Sequence, residues 1–212
     1  MLDFLRRLFG QDTSAGGYKP VDRSDATRRI ALWAKGGFHT EDAAFEALRE
    51  EYLEPDTISP DDARWIGAEV SRVFADKREE EAAWPPATDF DRLSRAFDEL
   101  EASGILALHC PGNTRSEGVT EAYELHRQRQ DAGEPSRGFV FYHAQDVDKA
   151  VEGEGIYLAF GSFTEEAGVP LTVARETVAT VERNGLRPQW NGDAHTRILV
   201  PLDWQKRSPV DA

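Results

Sequence analysis

The sequence predicts an α+β fold, with a helical N-terminal half followed by a mixed sheet of about five strands and flanking helices. Three observations predict it. Up to residue 103 the apolar residues recur at helical spacing, and Ser or Thr stands ahead of the runs as a capping residue. After Gly104 the period shortens to brief apolar or alternating runs, as strands require. Gly, Asn, Asp and Pro separate those runs at turn positions.

The elements follow in order. "MLDFLRRLFG" can place Leu2, Leu5 and Leu8 or Phe9 on one helical face beside Arg6 and Arg7. That pattern suits an interfacial membrane helix, but so short a segment is better read as a frayed or self-docked end. "GQDTSAGGYKP" reads as a flexible linker, so residues 1–20 are an N-terminal helix plus linker and residues 21–207 one α+β domain. Removing residues 1–20 is therefore expected to leave the melting temperature within a few degrees; a large loss would make that segment part of the core.

In residues 21–103, "RSDATRRIALWAKGGF" brings Ile30, Trp33 and Ala34 together and stops at Gly36-Gly37. Thr40 caps the next helix, whose stripe is Phe45, Leu48 and Tyr52. Ser59, Pro60 and Asp62 open the strongest helix, with Ile66, Val70, Val73 and Phe74 inward. Thr88 and Asp91 open the last, lined by Phe90, Leu93, Phe97 and Leu100. The acidic residues from Glu50 to Asp62 lack the alternating register of a calcium loop.

In residues 104–207, "ILALHC", "RGFVFYH", "GIYLAFGSF", "LRPQW" and "TRILVPL" are the expected strands. Helices near 116–130 and 164–184 lie between them, and "NGD" at 191–193 suggests a hairpin closing the last two, its apolar face sealed by Trp190 and Trp204.

The net charge of −14 is unevenly spread. Residues 1–36 hold seven Lys/Arg against four Asp/Glu, which leaves the remainder at −17. Such a body repels phosphate backbones, so no nucleic-acid partner is expected, whereas another protein with a basic surface is. Cys110 is the single cysteine, which excludes an internal disulfide and fits a reducing cytoplasm. No run approaches the ~18 apolar residues of a membrane span.

"LHCPGNTRSEG", residues 108–118, is the stretch closest to a chemical motif. Protein tyrosine phosphatases have a similar phrase: a Cys, five loop residues and an Arg around a phosphate-binding helix N-terminus. Here four residues separate Cys110 from Arg115, and Pro111 removes a backbone donor, so the phosphate cradle does not form. A weaker site remains. Parallel strands joined by the 116–130 helix would bring His109 and His143 near each other, with Cys110, Asn113, Arg115, Ser116, Gln145 and Asp146 in the adjoining loops, where α/β sheets bind ligands. Cys110 and His143 are then candidates for a nucleophile and its base. The two histidines with Asp146 are candidate ligands for a divalent metal. Against these stand plainer roles: a hydrogen-bonded strand-end histidine, a buried apolar Cys110, Gln145-Asp146 capping a helix, and Arg115 paired with Glu117 or Glu121. Those plainer roles lead to no expected cofactor and no metal.

"RGFVFYHAQD", "GIYLAFGS" and "GLRPQWNGDAHTRILVPLDWQKR" resemble an uncharacterised bacterial family, a domain of unknown function, over about Phe38 to Arg207. The resemblance implies one intact module after a variable N-terminal segment and brings no activity with it. Several closely spaced cysteines are common in such relatives where this chain has Cys110 alone, so the metal or redox role they imply does not carry over. Two expectations result: a non-catalytic acidic protein-binding or regulatory module, or a small-molecule or metal-binding hydrolase-like enzyme at loops 109–116 and 142–146.

Overall fold

Gly104 is where the helical half hands over to the sheet in the computed structural model, which describes residues 18, 20–52, 58–164, 166 and 168–209, with the side chains of 49–52 left out. The expected helix at 2–9, nearly all of the linker and the Tyr52 side chain fall outside the described residues. Among the described residues seven helices and four strands make an α+β fold, and no strand precedes Gly104.

Helices α1 (Arg23–Gly36), α2 (Glu41–Tyr52) and α3 (Pro60–Ala82) enclose a core of Ile30, Ala34, Ala44, Leu48, Ile66, Val70, Val73 and Phe74. Local chemistry sets their ends. Asp22 accepts from the N–H groups of Ser24 and Asp25, and Gly37, at φ 75°, closes α1 in the left-handed conformation that favours glycine. Ser59 caps α3 through Asp62 N–H, while the Asp62 carboxylate takes the Ser59 hydroxyl and Arg23. In α4 (Asp89–Ala102) the reciprocal Thr88–Asp91 box forms as expected. Its buried Leu93, Phe97 and Leu100 each contribute roughly 1.5–3 kcal/mol by leaving water.

The sheet runs β1 (Ile105–His109), β2 (Gly138–Tyr142), β3 (Ile156–Ser162) and β4 (Ile198–Val200), in that spatial order. Strands β1 and β2 are parallel, in register from Ile105↔Gly138 to His109↔Tyr142, and α5 (Arg115–Asp131) is the crossover between them. The other pairs are antiparallel. Helix α6 (Ala144–Val151) links β2 to β3, and α7 (Val169–Arg183) follows β3.

Alternation divides the sheet into two faces. Leu106, Phe139, Phe141 and Ala159 meet Ala122 of α5 on one face. A Cβ on Gly118 would stand 2.4 Å from Phe141 Cε2, so only glycine lets α5 close on β2 at that point. Ala107, Val140, Tyr142, Leu158 and Phe160 meet α4, α6 and α7 on the other face.

The expected fifth strand is a correction. "LRPQW" contributes one isolated bridge, Gln189↔Leu199, bonded both ways at 2.7 and 3.0 Å. Pro188 has no N–H to extend the ladder. Trp190 is occupied in its own turn, its Nε1 donating to the carbonyls of Asp193 and Thr196. Trp190 also packs edge-on against Phe160 of β3 at 5.7 Å and so seals the turn as expected, whereas Trp204 does not. It lies in the main core and donates from Nε1 to Gly36 O at 3.2 Å, tying the C-terminal stretch to α1. Buried Lys77 reinforces this tie through Lys206 O, Ser208 Oγ and Glu81.

Candidate functional site

The C-terminal ends of β1 and β2 lie side by side, as parallel pairing requires, but their two histidines part company. His109 pairs with Tyr142 across the ladder and joins it on the α4 side. Its ring stacks on Phe97 at 4.6 Å, approaches Phe90 at 5.7 Å, and hydrogen-bonds through Nδ1 to the Tyr142 hydroxyl at 2.6 Å. Burial, helped by Lys206, pushes the His109 pKa down to about 4. Burial raises that of Tyr142 well above its ordinary value, so both partners stay neutral.

His143 is one residue further along the alternation and binds a different partner. Its Nε2 is 3.0 Å from Asp146 Oδ2, and its backbone N–H donates to the same carboxylate. Asp146 is fully buried, and Arg197, next to β4, reaches its other oxygen at 2.7 Å. The guanidinium also lies 4.9 Å from the Tyr157 ring centroid. Burial lowers the His143 pKa, Asp146 opposes that shift, and Arg197 adds to it. Asp146 therefore caps α6, as the plainer reading expected, and anchors a buried ionic cluster as well.

The expected meeting of His109 with His143 is thus corrected: adjacency along the backbone ladder does not bring together side chains directed to different partners. Among the described residues no group of three or more His, Cys, Asp or Glu could hold a metal ion.

Cys110 is half-buried and has φ 57°, an uncommon conformation for a residue with a Cβ. Burial, then Asp148, Glu121 and Asp146, push its thiol up to about 11. A nucleophilic cysteine requires the opposite environment. At the following helix, Glu117 folds back and accepts from the N–H groups of Asn113 (2.6 Å) and Thr114 (3.1 Å), so it is occupied as a cap. The expected Arg115 pairing with Glu117 or Glu121 does not form: Arg115 is exposed and makes no ion pair among the described residues. Ser116 is exposed, and its carbonyl accepts the Thr120 hydroxyl.

Three of the candidates do converge. Cys110, Asn113 and Gln145 line a cleft of about 630 Å³, whose far wall is α1 with Trp33 and, just beyond the helix, His39, the two rings stacked at 5.2 Å. Asp25, Arg28, Arg29 and Asp148 bring charge to it. His109, His143, Arg115, Ser116 and Asp146 lie outside its lining. Sequence reasoning missed α1 as a wall, Asp148 and Arg197. Asp148, two residues beyond Asp146 on α6, was open to inspection; the α1 wall depends on contacts more than 70 residues apart in sequence, which no local pattern encodes.

No helix among the described residues is long and apolar enough to cross a membrane. No curated protein and no solved structure matches the chain. A family model for a domain of unknown function matches residues 19–208, starting upstream of Phe38 and so taking in α1, the cleft's far wall. The chain belongs to that family, DUF6891.

Proposed function

We propose that this chain is a non-catalytic, acidic binding module that engages another protein with a basic surface, in a reducing cytoplasm. The carrying observation is the cleft at the sheet edge, which gathers binding groups without a reactive pair. Its thiol is held near 11, and both neighbouring histidines are kept neutral against fixed partners elsewhere. The net charge of −14 supports the choice of partner, because it speeds encounter with basic surfaces and repels nucleic acid.

A second reading, a small-molecule site, is favoured by one feature: about 630 Å³ is in the range of pockets that take drug-sized ligands.

Affinity capture from a lysate of the native source, read by mass spectrometry, tests the first reading. Proteins with basic surfaces should be retained, bind again when purified, and weaken severalfold as salt rises from about 0.05 to 0.3 M. Retention of nothing above control resin, or of partners indifferent to salt, would contradict it.

A further inference from the structure

The sheet has two edges, and they are closed differently. Beyond β4, the isolated Gln189 bridge takes both backbone groups of Leu199. The other edge is β1, and among the described residues no segment pairs with it on the side away from β2. Gly104 O accepts the Arg137 N–H and so marks the side that faces β2. Alternation then turns the backbone groups of Ile105, Ala107 and His109 outward. An open row of this kind is a template for another strand.

One of the outward groups is already taken. The Ala107 N–H donates to Glu101 Oε1 at 2.7 Å, and Arg129 holds the other oxygen of that carboxylate at 2.6 Å. Glu101 stands in the last turn of α4 and Arg129 in the last turn of α5. Those helices cover opposite faces of the sheet, so the ion pair joins the two layers around the rim of β1. With side chains 28 % and 39 % exposed, the pair contributes little to stability. Its position has the larger consequence: a strand approaching β1 meets a carboxylate where it needs the Ala107 N–H.

We propose that the Glu101–Arg129 clasp keeps β1 from pairing with β1 of a second copy. Three outward residues centred on Ala107 make the edge complementary to itself, and a second copy is the strand always present. The blocked pairing is antiparallel about a two-fold axis, with Ala107 facing its own equivalent and Ile105 facing His109. This concerns the rim of the sheet rather than the cleft and stands independently of the protein-binding reading.

The test compares full-length wild type, Glu101→Ala and Glu101→Gln by sedimentation equilibrium and amide exchange, in about 0.3 M salt to screen the net charge of −14. Glu101→Ala leaves the Ala107 N–H to water until a carbonyl of another copy reaches it, so it should self-associate about tenfold more tightly than wild type. The amides of Ala107 and His109 should gain protection as its concentration rises. Glu101→Gln keeps an oxygen that accepts from Ala107 and should behave as wild type. Arg129→Ala, which frees Glu101 without altering α4, should move in the same direction as Glu101→Ala by a smaller factor. An alanine variant no more associated than wild type would overturn the proposal. So would association that leaves the Ala107 and His109 amides unprotected, or a glutamine variant that associates as tightly as the alanine one.

Discussion

Arg197→Ala should lower stability at neutral pH by about 3 kcal/mol, more than a typical surface substitution by severalfold. The Arg197 side chain is one-quarter exposed, but the carboxylate it serves is not: Asp146 is 1 % exposed and would keep only His143 and one backbone N–H as partners. Removing the guanidinium also removes one of the influences that lower the His143 pKa. His143 then takes up a proton more readily and supplies the positive charge that Asp146 has lost. The deficit relative to wild type should therefore shrink as pH falls from about 7.5 to 5.5. Urea denaturation of both proteins at the two pH values checks this. A loss under 1 kcal/mol, or a deficit that does not change with pH, would show that the cluster is not coupled as described.

The second large effect comes from His109. Its folded pKa of about 4 lies below the ordinary 6.5, so between those values the unfolded chain binds more protons than the folded one. Its contribution is intact above 6.5 and is lost as pH falls toward 4. At pH 4.5 the loss is about 2–3 kcal/mol. His109→Gln, which keeps a polar group for the Tyr142 hydroxyl, should be less stable at pH 7.5 yet show a flatter pH profile by about that amount. Parallel profiles for variant and wild type would contradict the assignment.

How far the sequence led depends on the range of the interaction. Capping residues act within three or four positions, which is why Thr88–Asp91 and Ser59–Pro60 located α4 and α3 correctly. The change of period at Gly104 survived because burial on one face of a helix or strand imposes it directly. The fifth strand failed because apolar content alone does not reveal that Pro188 breaks the ladder and Trp190 bonds within its own turn. At the site, the parallel pairing of β1 and β2 followed from their crossover helix. The grouping of histidines failed because strand ends that are neighbours still send side chains to opposite partners, Tyr142 for one and Asp146 for the other. Gln145-Asp146 was legible as a cap, but the reach from Asp146 to Arg197, 51 positions away, was not.

The pH dependence of Cys110 alkylation tests most directly whether the strand-end loops bind without reacting. With its thiol near 11, iodoacetamide should label the native protein at pH 8 about 100-fold more slowly than the same protein in denaturant, and the rate should keep rising to high pH. Rapid native labelling with an apparent pKa below about 8, abolished by His143→Ala, would instead establish a catalytic thiol and its base.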